Sequence, residues 1–255
     1  MKSFLTAVSI VIFTFSNAQL NQPQTWKDFV LQGKVKLIEE NYVAKKKKNI
    51  ETTTLEFSPK GKILKKEEIS KNRKTSTVLS YDSQHRQEKV WFRNFDKNKL
   101  VTESIMTFRY RNDSVFVHTE ITDNGKKSSK SFTAILKDDL LVKYFGEKKG
   151  ERRVTEFVYD DHNNVLSQTN YRDGEKSRRY EFTYNYDENG SILRQTDVNE
   201  NTTIEFFPNG LRKSENEFTY QYTYDSLGNW IRKMVFKNGK KYSENTRRIT
   251  YFDEK

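Results

Sequence analysis

The sequence predicts an all-β protein, an elongated or curled antiparallel β-meander built of tandem β-hairpins. Three observations lead to this prediction. Aromatic residues followed by polar turn clusters recur along the chain, as they do in repeat proteins. Asn-Gly and Asp-Gly pairs separate strand-like runs, and apolar residues alternate with polar ones inside those runs. Beyond the N-terminal segment, no stretch has the apolar periodicity of an amphipathic helix.

The composition limits what this fold can contain. The chain has 255 residues, of which 34% are hydrophobic and 14% aromatic. The hydrophobic share lies below the roughly 45% of an average globular domain, which argues against a thick three-layer core. The 18 Phe, 14 Tyr and 3 Trp argue equally against disorder. The absence of cysteine excludes a disulfide scaffold, a cysteine nucleophile, a thiolate metal site and a lipid-modified N-terminal cysteine.

The N-terminal segment indicates export. A positive start at Lys2 precedes an apolar run over residues 4–15 and the small residues Ser16 and Ala18, which predicts a signal peptide over residues 1–18. The run is shorter than the roughly 20 residues of a membrane-spanning helix. We therefore expect a protein of the periplasm or cell exterior that does not span a membrane. Residues 19–255 would form one repeat domain, with residues 19–56 as an atypical N-terminal cap.

The repeat is marked by anchor residues, each followed by a polar turn cluster. The anchors are Phe57, Tyr81, Tyr110, Leu136, Tyr159, Tyr186, Phe207, Tyr224 and Phe252. Their spacing of 17 to 29 residues suits one β-hairpin per unit. An aspartate after the anchor can accept backbone N–H bonds from residues further along, which predicts Asx-type turns at these points.

Three units carry strong hairpin signals, because Asn-Gly and Asp-Gly tolerate the positive φ angles of a two-residue type I′ turn. The predicted strand pairs are residues 115–122 and 127–135 around Asn124-Gly125, residues 165–171 and 176–186 around Asp173-Gly174, and residues 230–236 and 241–251 around Asn238-Gly239. Within the second pair, Phe182, Tyr184 and Tyr186 alternate with polar residues, which places the rings on one face of the sheet.

Several of these turns resemble a known repeat. The segments Tyr224-Asp-Ser-Leu-Gly-Asn, Tyr186-Asp-Glu-Asn-Gly and Tyr159-Asp-Asp-His-Asn-Asn are similar to the YD repeats of bacterial secreted Rhs-type proteins. The resemblance implies a long antiparallel sheet that curls or spirals, and in very large relatives it implies a shell around a toxin domain. The earlier units depart from the motif at Leu136 and at Arg111.

Residues with catalytic or metal-binding chemistry are sparse. His85, His118 and His162 lie far apart and lack the spacing of a zinc site. Three acidic pairs fit turn positions better than a calcium site or an acid–base pair. They are Asp138-Asp139, Asp160-Asp161 and Asp187-Glu188. No hydrolase or phosphate-binding motif is present. The sequence therefore predicts no catalytic, metal-binding or cofactor-binding residue, no cofactor and no enzymatic activity.

The basic balance of the chain is its most informative functional feature. The formal net charge is +11, and basic residues interleave with aromatics in the manner of proteins that bind single-stranded nucleic acid. Export argues against nucleic acid and favours an envelope protein or an anionic polysaccharide or glycan as partner. The run Lys45, Lys46, Lys47 and Lys48 reads as a solvated loop. Trp91 and Trp230 could stack on sugars, although predicted strand positions favour core packing for both.

These observations predict a non-enzymatic, exported repeat scaffold whose face binds an envelope protein or an anionic or glycan surface ligand. A toxin-associated or immunity-type YD-repeat protein of bacterial conflict is the alternative. A third hypothesis, an enzyme acting on polysaccharide, requires two carboxylates facing each other across a groove. An open sheet would leave unpaired edges, so the sequence also admits an edge-mediated homo-oligomer.

Overall fold

The computed structural model describes residues 29–44, 50–148 and 150–253. The predicted signal peptide and the four-lysine loop lie outside these residues. The described chain forms β1 Val35–Ala44, β2 Ile50–Phe57, β3 Ile63–Ser70, β4 Arg73–Tyr81, β5 Gln87–Asp96, β6 Lys99–Arg111, β7 Ser114–Asp123, β8 Lys126–Lys137, β9 Leu140–Lys148, β10 Glu151–Tyr159, β11 Val165–Arg172, β12 Glu175–Tyr186, β13 Ile192–Asp197, β14 Thr202–Phe206, β15 Arg212–Glu215, β16 Phe218–Tyr224, β17 Trp230–Lys237 and β18 Lys240–Tyr251.

The eighteen strands form one closed antiparallel sheet. Each strand pairs with the strands before and after it in sequence, and β18 pairs with β1, with Ile249 opposite Ile38. The all-β, antiparallel prediction is confirmed. The prediction of an elongated or curled meander of hairpin repeats is wrong, because the pairing of β1 with β18 closes the sheet into an up-and-down barrel. Local hairpin signals cannot reveal this pairing, which joins residues such as Glu40 and Asn245 that lie 205 positions apart.

The two faces of the barrel wall differ in burial. On one face the side chains of Ile38, Val115 and Val117 are fully buried, whereas Val43 and Phe116 on the other face are 44% and 43% exposed. A single-layer sheet that closes on itself crowds the side chains of its concave face. The buried face is therefore the inner face of the barrel.

Apolar contacts follow the wall. One cluster of buried residues joins neighbouring strands from β5 to β10, with Phe108 and Phe157 among its members. A second cluster joins β1, β2 and β3 to Leu31, which precedes the first strand. Among the described residues each strand packs mainly against its two sheet neighbours. We call the space that the wall encloses the lumen, and closed barrels of 16 to 18 strands are wide enough for it to hold water.

One end of the barrel is built from a repeated five-residue turn. We call it the anchor end, because the turns there lie at the anchor residues, after the even-numbered strands. Six turns share a geometry in which the first N–H bonds to the last carbonyl and the fourth N–H to the first carbonyl: residues 58–62, 82–86, 160–164, 187–191, 207–211 and 225–229. The fourth residue has a positive φ in every case, as in Gly228 (85°) and His85 (63°).

Aspartate opens four of these turns. The Oδ1 atom of Asp160 accepts the backbone N–H groups of His162 and Asn164, at 2.9 and 2.8 Å. Asp82, Asp187 and Asp225 repeat the arrangement. The predicted Asx-type turns are confirmed at these positions. The two units that depart from the motif, at Tyr110 and Leu136, have two-residue turns at this end instead.

The opposite end, which we call the hairpin end, has tight turns after the odd-numbered strands. Asn124-Gly125, Asp173-Gly174 and Asn238-Gly239 connect β7 to β8, β11 to β12 and β17 to β18, and all six residues have positive φ. The three predicted hairpins are confirmed, with strand ends within about two residues of those expected.

Tyrosine hydroxyls tie the two strands of a hairpin together near the anchor end. Tyr81 donates to the carbonyl of Ile63 at 2.6 Å, and Tyr184 donates to that of Val165 at 3.0 Å. Burial raises the pKa of Tyr184 to about 12. These bonds stabilise a hydroxyl inside the apolar wall, where an unpaired one would be costly.

Residues 29–32, the first that the structure describes, pack against the anchor end. The backbone N–H of Gln32 donates to Oδ1 of Asn229 at 2.6 Å, and Nδ2 of Asn229 donates to the carbonyl of Gln32 at 2.8 Å. The ring of Phe29 meets that of Phe57 edge-on at 5.9 Å. The segment is thereby held to strands from both sides of the closure.

Replacing Ile38 with alanine tests the closure. Ile38 is fully buried beside Ile249, so we expect I38A to lower the free energy of unfolding by about 2–5 kcal/mol. The control V43A, on the exposed face of the same strand, should cost less than about 1 kcal/mol. Urea titration followed by tryptophan fluorescence measures both. Equal, small losses would contradict a packed seam between the first and last strands.

Replacing Asp160 with alanine tests the Asx turn. Asp160 also accepts the hydroxyl of Tyr186, so we expect D160A to cost about 1–3 kcal/mol and D161A, one residue later, to cost little. Burial alone would raise the pKa of Asp160, but the bonds from Tyr186, Asn164 and His162 hold it below its ordinary value. This stabilisation is present above pH 4 and is lost as pH falls through the lowered pKa. The difference between D160A and wild type should therefore shrink in acid; a constant difference would contradict the assignment.

Candidate functional site

Charged and polar side chains line the inner wall where the barrel closes. Tyr222 on β16, Lys233 on β17, Asn245 on β18 and Tyr42 on β1 stand directly opposite one another in register. Arg247 and Glu40 form the next inward pair toward the anchor end, beside Trp230. We call this set the lumen cluster; its members are Glu40, Tyr42, Tyr222, Trp230, Lys233, Asn245 and Arg247.

An ion pair forms the centre of the lumen cluster. Nε of Arg247 donates to Oε2 of Glu40 at 2.8 Å, and Nδ2 of Asn245 donates to Oε1 at 2.6 Å. The two charged side chains are only 8% and 17% exposed. Burial lowers the pKa of Arg247, and the charge of Glu40 counteracts that effect. Both carboxylate oxygens of Glu40 are thus occupied by neighbours across the closure.

Two cations share one indole ring. The guanidinium carbon of Arg247 lies 3.4 Å from the ring centroid of Trp230, and Nζ of Lys233 lies 5.2 Å from it. The ring of Tyr222 meets the indole edge-on at 6.1 Å. Trp230 is 5% exposed, so it packs in the wall, as the sequence predicts. Trp91 does not: it lies on the outer face, 37% exposed, under the ammonium of Lys89.

Unlike Arg247, Lys233 has no carboxylate partner among the described residues. It is half-buried, and its ammonium forms neither a hydrogen bond nor an ion pair within the described part of the chain. Burial lowers its pKa, Glu40 raises it, and Arg247 and Arg212 lower it further. Lys233 and Arg247 together outweigh the single charge of Glu40, so this part of the lumen is positive.

The residues that sequence reasoning considered as chemical candidates are not brought together. His85 occupies the positive-φ position of a turn, His162 stacks on Tyr186 at 4.2 Å, and His118 lies on the outer face bonded to Ser131 at 2.9 Å. Within residues 29–44, 50–148 and 150–253, no group of three or more His, Cys, Asp or Glu side chains could hold a metal ion.

The acidic pairs lie in turns. Asp138 and Asp139 form the two-residue turn between β8 and β9, and both have positive φ. Asp160 and Asp187 are the first residues of five-residue turns. The carboxylates of Asp160 and Asp187 accept backbone N–H groups, which is the turn role expected of these residues.

The outer face carries ion pairs between neighbouring strands on several sides of the barrel. They include Arg93 with Glu103 at 2.8 Å, Lys143 with Glu156 at 2.8 Å, Arg194 with Glu205 at 2.9 Å and Arg232 with Glu244 at 2.6 Å. Strands β13, β14 and β15 have only six, five and four residues. Among the described residues, no helix is long and apolar enough to cross a membrane.

Sequence reasoning does not single out Glu40, Lys233 or Arg247, because charged residues in a strand are expected to face solvent. The available signal was register. Arg247 lies two residues before Ile249 on β18, and Lys233 lies two residues before Val235 on β17. Residues two apart in a strand point to the same face, so each charged residue shares the face of an apolar one.

No protein-family model matches the sequence, and no curated protein matches it. Solved structures align with the fold at low similarity. A porin-like protein from Bacteroides uniformis has 15% identity and a TM-score of 0.45, covering 86% of this chain and 99% of that one. A porin-like protein from Bacteroides vulgatus has 12% identity and a TM-score of 0.32 over the same shares. The Photorhabdus luminescens Tc holotoxin pore has 12% identity and a TM-score of 0.23, covering 76% of this chain and 14% of that one.

These findings correct the sequence-based interpretation. The resemblance to YD-repeat, Rhs-type proteins implied a long antiparallel sheet that curls or spirals. It is wrong, because the sheet closes into a ring after eighteen strands. The scaffold function and its toxin-associated or immunity-type alternative rested on the repeat interpretation, and both are wrong for the same reason. The closed barrel has an interior that an open meander would lack.

Replacing Glu40 with glutamine tests the buried pair. The change leaves Arg247 charged, buried and without its counter-ion, so we expect E40Q to lower the free energy of unfolding by about 3–5 kcal/mol. E39Q is a matched control, because Glu39 is adjacent, faces outward and lies 4.0 Å from the exposed Arg248. It should cost less than about 1 kcal/mol. Urea unfolding of both variants decides the matter, and a small loss in E40Q would show that the pair is solvated.

Proposed function

We propose that the protein is an exported, hollow β-barrel that takes small polar solutes into its lumen, without a chemical step. The observation that carries this proposal is the closure of eighteen strands into a single layer. The apolar clusters run between neighbouring strands along the wall, which on this proposal leaves the middle of the barrel to water and solute. The lumen cluster supplies polar groups to that interior.

The outer face supports a barrel that works in water. A barrel embedded in lipid presents an apolar band about 25 Å tall, and its strands need about 9–11 residues to cross it. Here the outward positions carry ion pairs such as Arg93 with Glu103 and Arg194 with Glu205. Four residues of β15 extend about 13 Å, which is half the required height.

A channel in the outer membrane is the second candidate function. It is favoured by the strand number, which falls in the range of porins, and by exposed apolar side chains on the outer face. These include Val43, Ile50, Trp91, Phe116 and Val158. Outward charges interrupt them, so we place this candidate second. Association with an envelope protein or an anionic glycan remains a prediction under either candidate.

Cysteine labelling tests the hollow barrel, since the chain has no native cysteine. Ser104 on β6 faces inward opposite Ile121, and Ser76 on β4 faces outward opposite Arg93. Both serines are half-buried, so S104C and S76C form a matched pair. We expect a small thiol reagent to label both variants at similar rates. A bulky polymer-linked maleimide should label S76C much faster than S104C.

Two outcomes would overturn the proposal. If the small reagent fails to reach S104C, the lumen is filled; if the polymer labels both cysteines equally, the interior is not enclosed. Residues 19–255, purified without detergent, should remain in the supernatant when mixed with liposomes. Stable insertion with ion conductance across a planar bilayer would replace the proposal with the channel candidate.

A further inference from the structure

The side chain of Lys233 reaches into the lumen from the middle of β17. It stands between Tyr222 and Asn245, its direct partners on the two neighbouring strands. Two lysines of the outer face differ from it, since Lys143 and Lys74 each have a glutamate within 3.0 Å. Among the described residues, the nearest recorded contact of the Lys233 ammonium is the indole of Trp230.

The acid that could neutralise Lys233 is already engaged. Arg247 and Asn245 occupy the two oxygens of Glu40. Arg212, whose charge also acts on Lys233, is paired with Glu215 at 2.5 Å. Two cations and one anion therefore face this stretch of lumen, and a half-buried ammonium lacks an acceptor. Such a group is costly unless water or a ligand supplies acceptors.

We propose that Lys233 is the binding cation of a lumen site for a small oxyanion, a carboxylate or phosphate group carried by a polar solute. The inference rests on the proposed function, because it requires solute to enter the lumen. An oxyanion supplies the missing acceptor atoms and the missing negative charge together. The buried guanidinium of Arg247, with its Nη1 atom unpaired, adds to the positive potential that draws the anion in.

The titration of Lys233 supports this assignment. Burial lowers the pKa of its ammonium, and the positive charges of Arg247 and Arg212 lower it further. A bound oxyanion favours the charged form and would raise that pKa again. By linkage, anion binding is full while Lys233 is protonated and is lost as pH rises through its lowered pKa. Binding should therefore weaken at a lower pH than it would at an exposed lysine.

Isothermal titration calorimetry of residues 19–255 with inorganic phosphate, and separately with acetate, at low ionic strength tests the proposal. We expect K233M to weaken binding by about tenfold or more, as for the loss of one charged hydrogen-bond partner. K233R, which keeps the charge, should retain most of the affinity. K237M is the matched control on the same strand, because Lys237 is exposed and paired with Glu217 at 2.8 Å. It should bind within about twofold of wild type.

The arms of the experiment separate the sources of the anion. Binding of phosphate alone assigns a phosphate-bearing solute, and binding of acetate alone assigns a carboxylate. Binding of neither anion, or equal binding by K233M, overturns the proposal. Urea unfolding checks that K233M folds, and its apolar side chain of similar length should preserve the wall. If S104C is reached by the small reagent and neither anion binds, the anion site fails while the hollow barrel stands.

Discussion

The antiparallel ladder between β1 and β18 is the contact on which the rest of the structure depends. The other pairings join strands linked by a short connection, so each can form locally. The ladder that closes the ring joins the two ends of the domain and brings Ile38 against Ile249 and Glu40 against Arg247. Without it, two strand edges would expose unpaired N–H and C=O groups. The lumen cluster lies on the strands at and beside this ladder, so the site is complete only when the barrel is closed.

Much of the wall can be predicted from sequence because its signals are local. A two-residue turn with positive φ at both positions demands residues such as Asn124-Gly125, and a turn opened by Asp160 fixes the chain reversal at the other end. The closure cannot be predicted in this way. A run of hairpins has the same signals whether the sheet spirals or forms a ring, because the outcome depends on curvature summed over eighteen strands.

The lumen cluster escaped prediction for a second physical reason. Simple alternation along β17 would place Trp230 and Lys233 on opposite faces, since they are three residues apart. A register shift opposite Thr223 and Tyr224 inserts an extra residue, after which both side chains point inward. Bulges of this kind recur next to the five-residue turns. Counting alternate residues from an anchor therefore assigns a charged residue beyond the bulge to the wrong face of the sheet.

The two rims of the barrel meet their surroundings differently. At the hairpin end, a side chain added at Gly125, Gly174 or Gly239 would find no atom within 4 Å. At the anchor end, the same addition at Gly190 would meet the ring of His162 at 3.2 Å. The turns of the anchor end thus pack against neighbouring side chains, whereas these three glycines of the hairpin end do not. Longer loops inserted at the hairpin end would therefore disturb the wall least, so this rim can change its shape while the anchor end keeps its packing.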